Sequence, residues 1–306
     1  MSYLLGIDIG GTKCAVISAR WNGDIMEIIG RREIATDTAI SASVMLERLF
    51  CLADEILEKA PDRIGISCGG PLDAKRGIIL SPPNLPGWDR VPVTELAEAR
   101  FRAPARLCND ANASAIAEHR FGAGRGYSNV IFLTFGTGLG AGLILDGKLY
   151  EGTNGNAGEI GHIRLAPNGP IGYGKAGSFE GFCSGGGIAR MANARMHNTY
   201  TTSTAELACA ANEGDSLALE IFRNSAQMLG TGLSILIDTL NPEIIIIGSV
   251  FAKNESLFRD EMERVIEREA LEEARSVCRI VPSALGNSIG DYAALACALI
   301  GGEENV

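Results

Sequence analysis

Two hydrophobic patterns alternate along this chain. Short apolar runs rich in β-branched residues predict strands, and longer stretches with apolar positions every three or four residues predict helices. Tyr3, Leu4 and Leu5 lead into Gly6-Ile7-Asp8-Ile9-Gly10-Gly11-Thr12-Lys13, and the apolar run 14–18 leads out: strand, tight glycine turn, strand, closed by a turn near Asn22-Gly23. Residues 38–59 form a predicted helix with Val44, Leu46, Leu49, Leu52, Ile56 and Leu57 as its stripe, stopped by Pro61. A buried strand at 63–68, a proline-rich shaped loop at 81–88, a helix at 93–101, a strand at 105–108 and a helix at 113–121 follow. The pattern then begins again: strand 130–135, glycine turn, strand 139–145, the turn Asp146-Gly147, and a Gly- and Pro-rich loop at 154–175. A long helix at 216–240 ends at Asn241-Pro242, ahead of a fully buried strand at 243–248, a charged amphipathic helix at 254–277 and a final helix at 288–300. Strands alternating with helices define the α/β class.

The two glycine turns superpose residue by residue. Asp8 meets Thr134, Gly10 meets Gly136, Gly11 meets Thr137 and Thr12 meets Gly138. Adjacent glycines let backbone N–H groups point into a turn and let a phosphate approach without meeting a Cβ. Thr12 adds a hydroxyl, Lys13 a positive charge, and Asp8 a carboxylate suited to a magnesium shell. A glycine pair in one hairpin is also an ordinary turn. The second copy favours the phosphate reading, because an internal repeat suggests two similar half-molecules gripping one polyphosphate.

The strand at 105–108 delivers Asn109-Asp110-Ala111-Asn112 to its C-terminal end. Asp and Asn before an apolar helix serve as N-caps, yet the end of such a strand is also where ligands of open α/β sheets bind. Both readings of Asp110 stand on its position. Two other glycine patterns fail: Gly169 to Lys175 has Walker-like spacing without a following Ser or Thr, and Gly136 to Ala141 fits a dinucleotide fingerprint but leads into a strand instead of a helix.

Length and charge narrow the classes. The 306 residues suffice for two domains with buried cores, and 46% hydrophobic with 21% charged residues is ordinary for a globular protein. A net charge of −10 argues against a nucleic-acid surface. No signal peptide or membrane-spanning run is read, so a cytoplasmic protein is expected, with no membrane partner. The 8 cysteines show no C-x-x-C spacing and read as reduced, mostly buried thiols.

The paired turns, with Gly136-Thr137-Gly138-Leu139-Gly140-Ala141-Gly142-Leu143, Asp146-Gly147-Lys148-Leu149-Tyr150-Glu151-Gly152 and Asn156-Ala157-Gly158-Glu159-Ile160-Gly161-His162, resemble the ROK family (repressor, open reading frame, kinase) along nearly the whole chain. The resemblance implies two actin-like (ribonuclease H-like) ATPase domains with a cleft between them, residues 1–112 plus 288–306 and residues 113–287. It implies ATP-dependent phosphorylation of a hexose or N-acetylhexosamine hydroxyl, glucokinase-like, with ATP and Mg2+ as cofactors. N-acetylmannosamine kinase and fructokinase are alternatives, as is a non-catalytic sugar-binding or sugar-sensing regulator. By resemblance Asp110 is the catalytic base. Asp8, Gly10, Gly11, Thr12, Lys13, Thr137, Gly138 and Gly248 bind the nucleotide, with Asp8 near Mg2+ through water. Asn84, Asn109, Asp110, Glu159, His162 and Glu180 bind the sugar, although Glu159 and His162 also read as a loop-fixing hydrogen-bonded pair. Family members are often dimers, so a homodimer is implied, and none of these roles involves nucleic acid. Many relatives hold zinc with a histidine and a C-G-C-G-x-x-G-C-x-E segment. Here Ile171, Tyr173 and Ser178 replace the three cysteines, and His162 alone cannot hold zinc, so no zinc site is expected.

Overall fold

The structure, a computed structural model, describes residues 1–196 and 202–300. The chain divides into two compact units, 1–121 with the segment from Asn287 onward, and Gly122–Gly286. Residues 301–306, part of the expected first domain, lie outside the described residues.

In the first unit β1 (Ser2–Ile9), β2 (Lys13–Trp21) and β3 (Met26–Ala35) form an antiparallel meander. After α1 (Ala42–Ile56), β4 (Arg63–Cys68) pairs parallel to β1. A small ribbon, β5 (Leu72–Asp73) with β6 (Ile78–Ile79), and α2 (Val93–Phe101) lead to β7 (Ala105–Asn109), parallel to β4, and then to α3 (Asp110–Phe121). The sheet order is β3-β2-β1-β4-β7. The twofold period of β1 sends Leu5, Ile7 and Ile9 into one core with Met45, Leu46, Leu49, Phe50 and Trp88, and Leu4 into another with Ala294, Leu295 and Leu299. That second core is closed by the last helix, Ile289–Cys297, which seats on the sheet where β4 has no side chain. A Cβ at Gly65 would stand 2.0 Å from the Ala294 carbonyl oxygen.

Several boundaries differ from expectation. The helix expected at 38–59 begins at Ala42, where Ser41 accepts the N–H of Val44, and Val44 itself is 46% exposed. Its buried stripe is Met45, Leu46, Leu49, Phe50, Ala53 and Ile56, each contributing roughly 1–3 kcal/mol by burial. The helix expected at 113–121 starts at Asp110 and packs in the first unit, where 1–112 was expected to end. Strand β3 was not expected. It is a charged edge strand, and a bulge between Ser18 and Ala19 breaks its register with β2.

The second unit repeats the topology. The strands β8 (Val130–Phe135), β9 (Leu139–Leu145) and β10 (Lys148–Leu149) are antiparallel. The ribbon β11 (Ile171–Gly172) with β12 (Lys175–Ala176) precedes α4 (Phe179–Phe182), α5 (Gly185–Met196), α6 (Thr204–Asn212) and the long α7 (Ser216–Leu240). Strand β13 (Ile244–Ile247) pairs parallel to β8, giving the order β10-β9-β8-β13-β14, with β14 spanning Arg279–Pro282. The single helix expected at 254–277 is instead α8 (Ser249–Lys253), α9 (Arg259–Glu269) and α10 (Glu272–Val277) with a 3-10 turn before α9. Phe258 causes one break: fully buried, its ring meets those of Phe135, Phe222 and Phe251 at 5.4–5.8 Å, which fixes the chain ahead of α9. The extended backbone of Ala270 causes the other, and Asp238 there accepts the N–H of Leu271. Among the described residues no helix is long and apolar enough to cross a membrane.

Candidate active site

The first glycine turn joins β1 to β2, with Ile9 opposite Cys14 and the Gly10 N–H donated to the Lys13 carbonyl at 3.1 Å. Among the described residues the N–H groups of Gly11 and Thr12 donate to no protein group. Asn84, on the loop anchored by buried Leu85 and Trp88, lies over this turn. A Cβ at Gly11 would come within 2.7 Å of both the Asn84 Cβ and its carbonyl oxygen, so glycine is required there. Lys13, expected as the phosphate cation, donates its ammonium to Glu33 at 2.9 Å, and Arg31 shares that carboxylate.

Asp8 is the last residue but one of β1, and the adjacent parallel strands bring Ser67 and Asp110 to the same sheet edge. Burial, with the neighbouring charges of Asp110 and Asp291 adding to it, pushes the Asp8 carboxyl up to about 7, against opposing contributions from the Ser67 hydroxyl and Lys13. Asp110 opens α3 and is accessible to solvent, but the protein around it raises its carboxyl above the ordinary carboxylate range, while N–H groups of Ala111 and of Asp110 itself counteract. The capping alternative is resolved in part: Asn109 accepts the Ala111 N–H at 3.0 Å and Asp110 accepts the same N–H at 2.9 Å through Oδ1. Oδ2 of Asp110 faces Gly69 beside the Asn84 amide. Sequence reasoning missed Asp291 in the first turn of the last helix. Its carboxylate takes the Arg31 guanidinium at 2.8 Å, and a Cβ on the preceding Gly290 would stand 2.9 Å from Asp8 Oδ2. A Gly-Asp pair opening a helix reads from sequence only as a cap. Asp291 is committed to Arg31, and among the described residues no three carboxylate, His or Cys side chains gather as metal ligands, so Asp8 with Asp110 suits only an ion held mostly by water, as hydrated magnesium is.

The second turn, between β8 and β9, repeats the arrangement. Among the described residues the N–H groups of Thr137 and Gly138 donate to no protein group. The carbonyls of Gly136 and Thr137 accept N–H groups of Gly185 and Gly186 at the start of α5, at 2.7 and 3.2 Å. Leu139 donates its N–H to Glu180 Oε2 at 3.1 Å, and that oxygen would lie 2.7 Å from a Cβ on Gly138. Thr134, the counterpart of Asp8, accepts the Gly140 N–H within its own hairpin, so only the first turn carries a carboxylate. Gly248 caps α8, its N–H donated to the Leu133 carbonyl at the other side of this strand pair.

Glu159 and His162 flank a 3-10 turn laid against β9, where Gly158 at φ +90° accepts the Ala141 N–H and a Cβ would stand 2.1 Å from the Ala141 carbonyl oxygen. Glu159 and His162 are exposed, and Glu159 accepts the Tyr173 hydroxyl at 3.4 Å. The Tyr173 ring meets His162 edge-on at 5.7 Å, and Lys175 donates to the His162 carbonyl. At the three substituted zinc positions, Ile171 is exposed, Tyr173 is 55% exposed, and Ser178 caps α4 by accepting the Gly181 N–H. All eight cysteines are free thiols and most are buried, as expected; Cys51 and Cys209 are exposed.

Two like-built units, each with a glycine turn offering unpaired N–H groups, define an actin-like ATPase fold. The ROK family model matches residues 4–299, and the chain belongs to the ROK family. It is 32% identical to a glucokinase of Streptomyces coelicolor over 95% of each chain. It is also 29% identical to a putative xylose repressor of a Caldicellulosiruptor species over 88% of this chain and 71% of that one. Among solved structures, a ROK hexokinase from Thermus thermophilus superposes with a TM-score of 0.85 at 28% identity, covering 99% of this chain and 100% of that one. A ROK family glucokinase from Streptomyces griseus, solved in complex with glucose and AMPPNP, gives 0.80 at 31% identity over 98% and 100%.

Proposed function

We propose that this protein is an ATP-dependent sugar kinase that phosphorylates a hydroxyl of a hexose or N-acetylhexosamine, glucokinase-like, and acts as a homodimer. The observation that carries this reading is that each unit has a glycine turn with two N–H groups free of protein partners among the described residues, and that the first unit also holds a solvent-accessible carboxyl at Asp110. Phosphoryl transfer asks for positioning, charge neutralisation and an oriented nucleophile, and little covalent chemistry from the protein.

Gly10, Gly11 and Thr12 in one unit, and Thr137 and Gly138 in the other, hold the ATP phosphates, with Gly248 on the adenosine side. Lys13 contributes charge only by sharing its ammonium with Glu33. Asp8 would hold Mg2+ through water, and the ion supplies positive charge against the phosphate oxygens. Asp110 takes the proton of the sugar hydroxyl as that oxygen attacks the γ-phosphate in line. A carboxyl raised above its ordinary range is a stronger proton acceptor than a free one, which suits that transfer. Asn84, Asn109, Glu159, His162 and Glu180 hold the remaining hydroxyls, a task for groups that pair with both donor and acceptor hydroxyls.

N-acetylmannosamine and fructose are the alternative substrates. The likeness to a putative xylose repressor favours a second reading, a sugar-sensing protein without catalysis. A coupled ADP-release screen across hexoses and N-acetylhexosamines separates these: sugar-dependent ADP release supports the kinase and names its substrate. Sugar binding without ADP release supports the sensor.

A further inference from the structure

We infer that Thr36 is a positioning residue that fixes the first glycine turn in its phosphate-accepting form; this rests on the nucleotide reading above. Thr36 is the first residue beyond β3, and β3 ends with Ala35 opposite Lys13, so the chain carries Thr36 alongside the turn. Its hydroxyl donates to the Gly10 carbonyl at 2.6 Å and its N–H donates to the Thr12 carbonyl at 2.9 Å. One residue thereby holds two carbonyls of the turn. The Cys14 thiol lies 3.3 Å from the Thr36 hydroxyl oxygen and also donates to the Gly10 carbonyl at 3.7 Å, a weaker contact than the Thr36 hydroxyl bond to the same oxygen.

The consequence follows from the planar trans peptide, in which C=O and N–H point in opposite directions. Turning the Gly10 carbonyl toward Thr36 turns the Gly11 N–H away from it, to the side where that N–H has no protein partner. In an ordinary two-residue hairpin turn the Gly10 carbonyl would accept the Lys13 N–H instead. The peptide between Gly10 and Gly11 has glycine on both sides and so rotates at little steric cost. The Thr36 hydroxyl is what selects one orientation. In the second turn the same job is done by backbone groups of Gly185 and Gly186, whereas in the first the Gly10 carbonyl is held by side chains, strongly by the Thr36 hydroxyl and weakly by the Cys14 thiol.

The test compares Thr36→Val, which removes the hydroxyl at constant shape, with Thr36→Ser, which retains it. AMPPNP affinity is measured by calorimetry, KM for ATP and for sugar by ADP release, and folding by thermal melting. Thr36→Val is expected to weaken AMPPNP binding and raise KM for ATP by about 10-fold, with KM for sugar unchanged and Thr36→Ser within about twofold of wild type. Unchanged AMPPNP affinity in Thr36→Val, equal weakening of sugar and nucleotide, or failure of Thr36→Ser to restore binding would each overturn the inference. Should Thr36→Val not fold, Thr36→Ala removes the same hydroxyl and gives the same comparison. A wild type that binds AMPPNP without phosphorylating sugar would sink the kinase reading and leave the Thr36 test standing on affinity. A wild type that binds no AMPPNP would overturn both.

Discussion

Glu180 accepts the Leu139 N–H at 3.1 Å, so a carboxylate proposed to hold the sugar also fixes the outgoing end of the second glycine turn. One side chain then serves both substrates. Glu180→Ala is expected to raise KM for sugar and for ATP together, each by about 10-fold, through loss of a charge-assisted bond and of the turn's support. Glu180→Gln keeps an oxygen for Leu139, so it should raise KM for sugar while leaving KM for ATP near wild type. Steady-state kinetics of the two variants checks this; equal behaviour of Gln and Ala would show that the Leu139 bond does not matter.

Asp110→Asn is expected to lower kcat by at least ~100-fold, the lower range for loss of a general base. Sugar binding should persist, because an amide still pairs with a hydroxyl. Turnover measured beside sugar affinity separates loss of the base from loss of the site. Near-normal turnover would assign the proton to another group.

Asp8 sets a pH dependence whose sign is fixed by its raised pKa. A carboxyl that holds its proton more tightly when folded contributes stability below its unfolded pKa and loses that contribution as pH rises through the folded value. For Asp8 the loss runs from 3.8 to about 7. Metal-free Asp8→Asn has no such loss and should be more stable than wild type above pH 7, by up to about 4 kcal/mol, with the gap closing near pH 4. Added Mg2+ should raise the melting temperature of wild type more at pH 8 than at pH 5, and that of Asp8→Asn little at either. Thermal melts at the two pH values, with and without Mg2+, provide the check.

The purified protein is expected to carry far less than one zinc per chain, since Ile171, Tyr173 and Ser178 supply no thiolate. Chelation should leave melting temperature and, with Mg2+ restored, activity unchanged. Elemental analysis finding one equivalent of zinc would contradict this.

The two hairpins were legible because β-branched runs broken by Gly and Thr have few other readings, and the second copy reinforced the first. Strand β3 was hidden: Glu27, Arg31, Arg32 and Glu33 lie on an exposed edge and the bulge at Ser18/Ala19 spoils any alternation. The break at Phe258 was equally hidden, since one aromatic in a charged, helix-periodic stretch reads as part of the stripe until its buried ring neighbours are known. Asp110 was found by its place at a strand end, but its neighbour Asp8 acquires its raised pKa from burial first, then from Asp110 and from Asp291, the last 283 positions away in sequence (291 − 8). Thr36 carried no signal at all, because a threonine just past a strand is indistinguishable from any other loop residue.

The most direct measurement is an amide NMR titration of protein labelled with 15N-glycine and 15N-threonine, with AMPPNP added stepwise. The amides of Gly11, Thr12, Thr137 and Gly138 are expected to shift together along one binding curve, and adenosine without phosphates should leave Gly11 and Thr12 in place. If AMPPNP binds while those four amides stay put and others move, the phosphates rest elsewhere and the paired-turn account is contradicted.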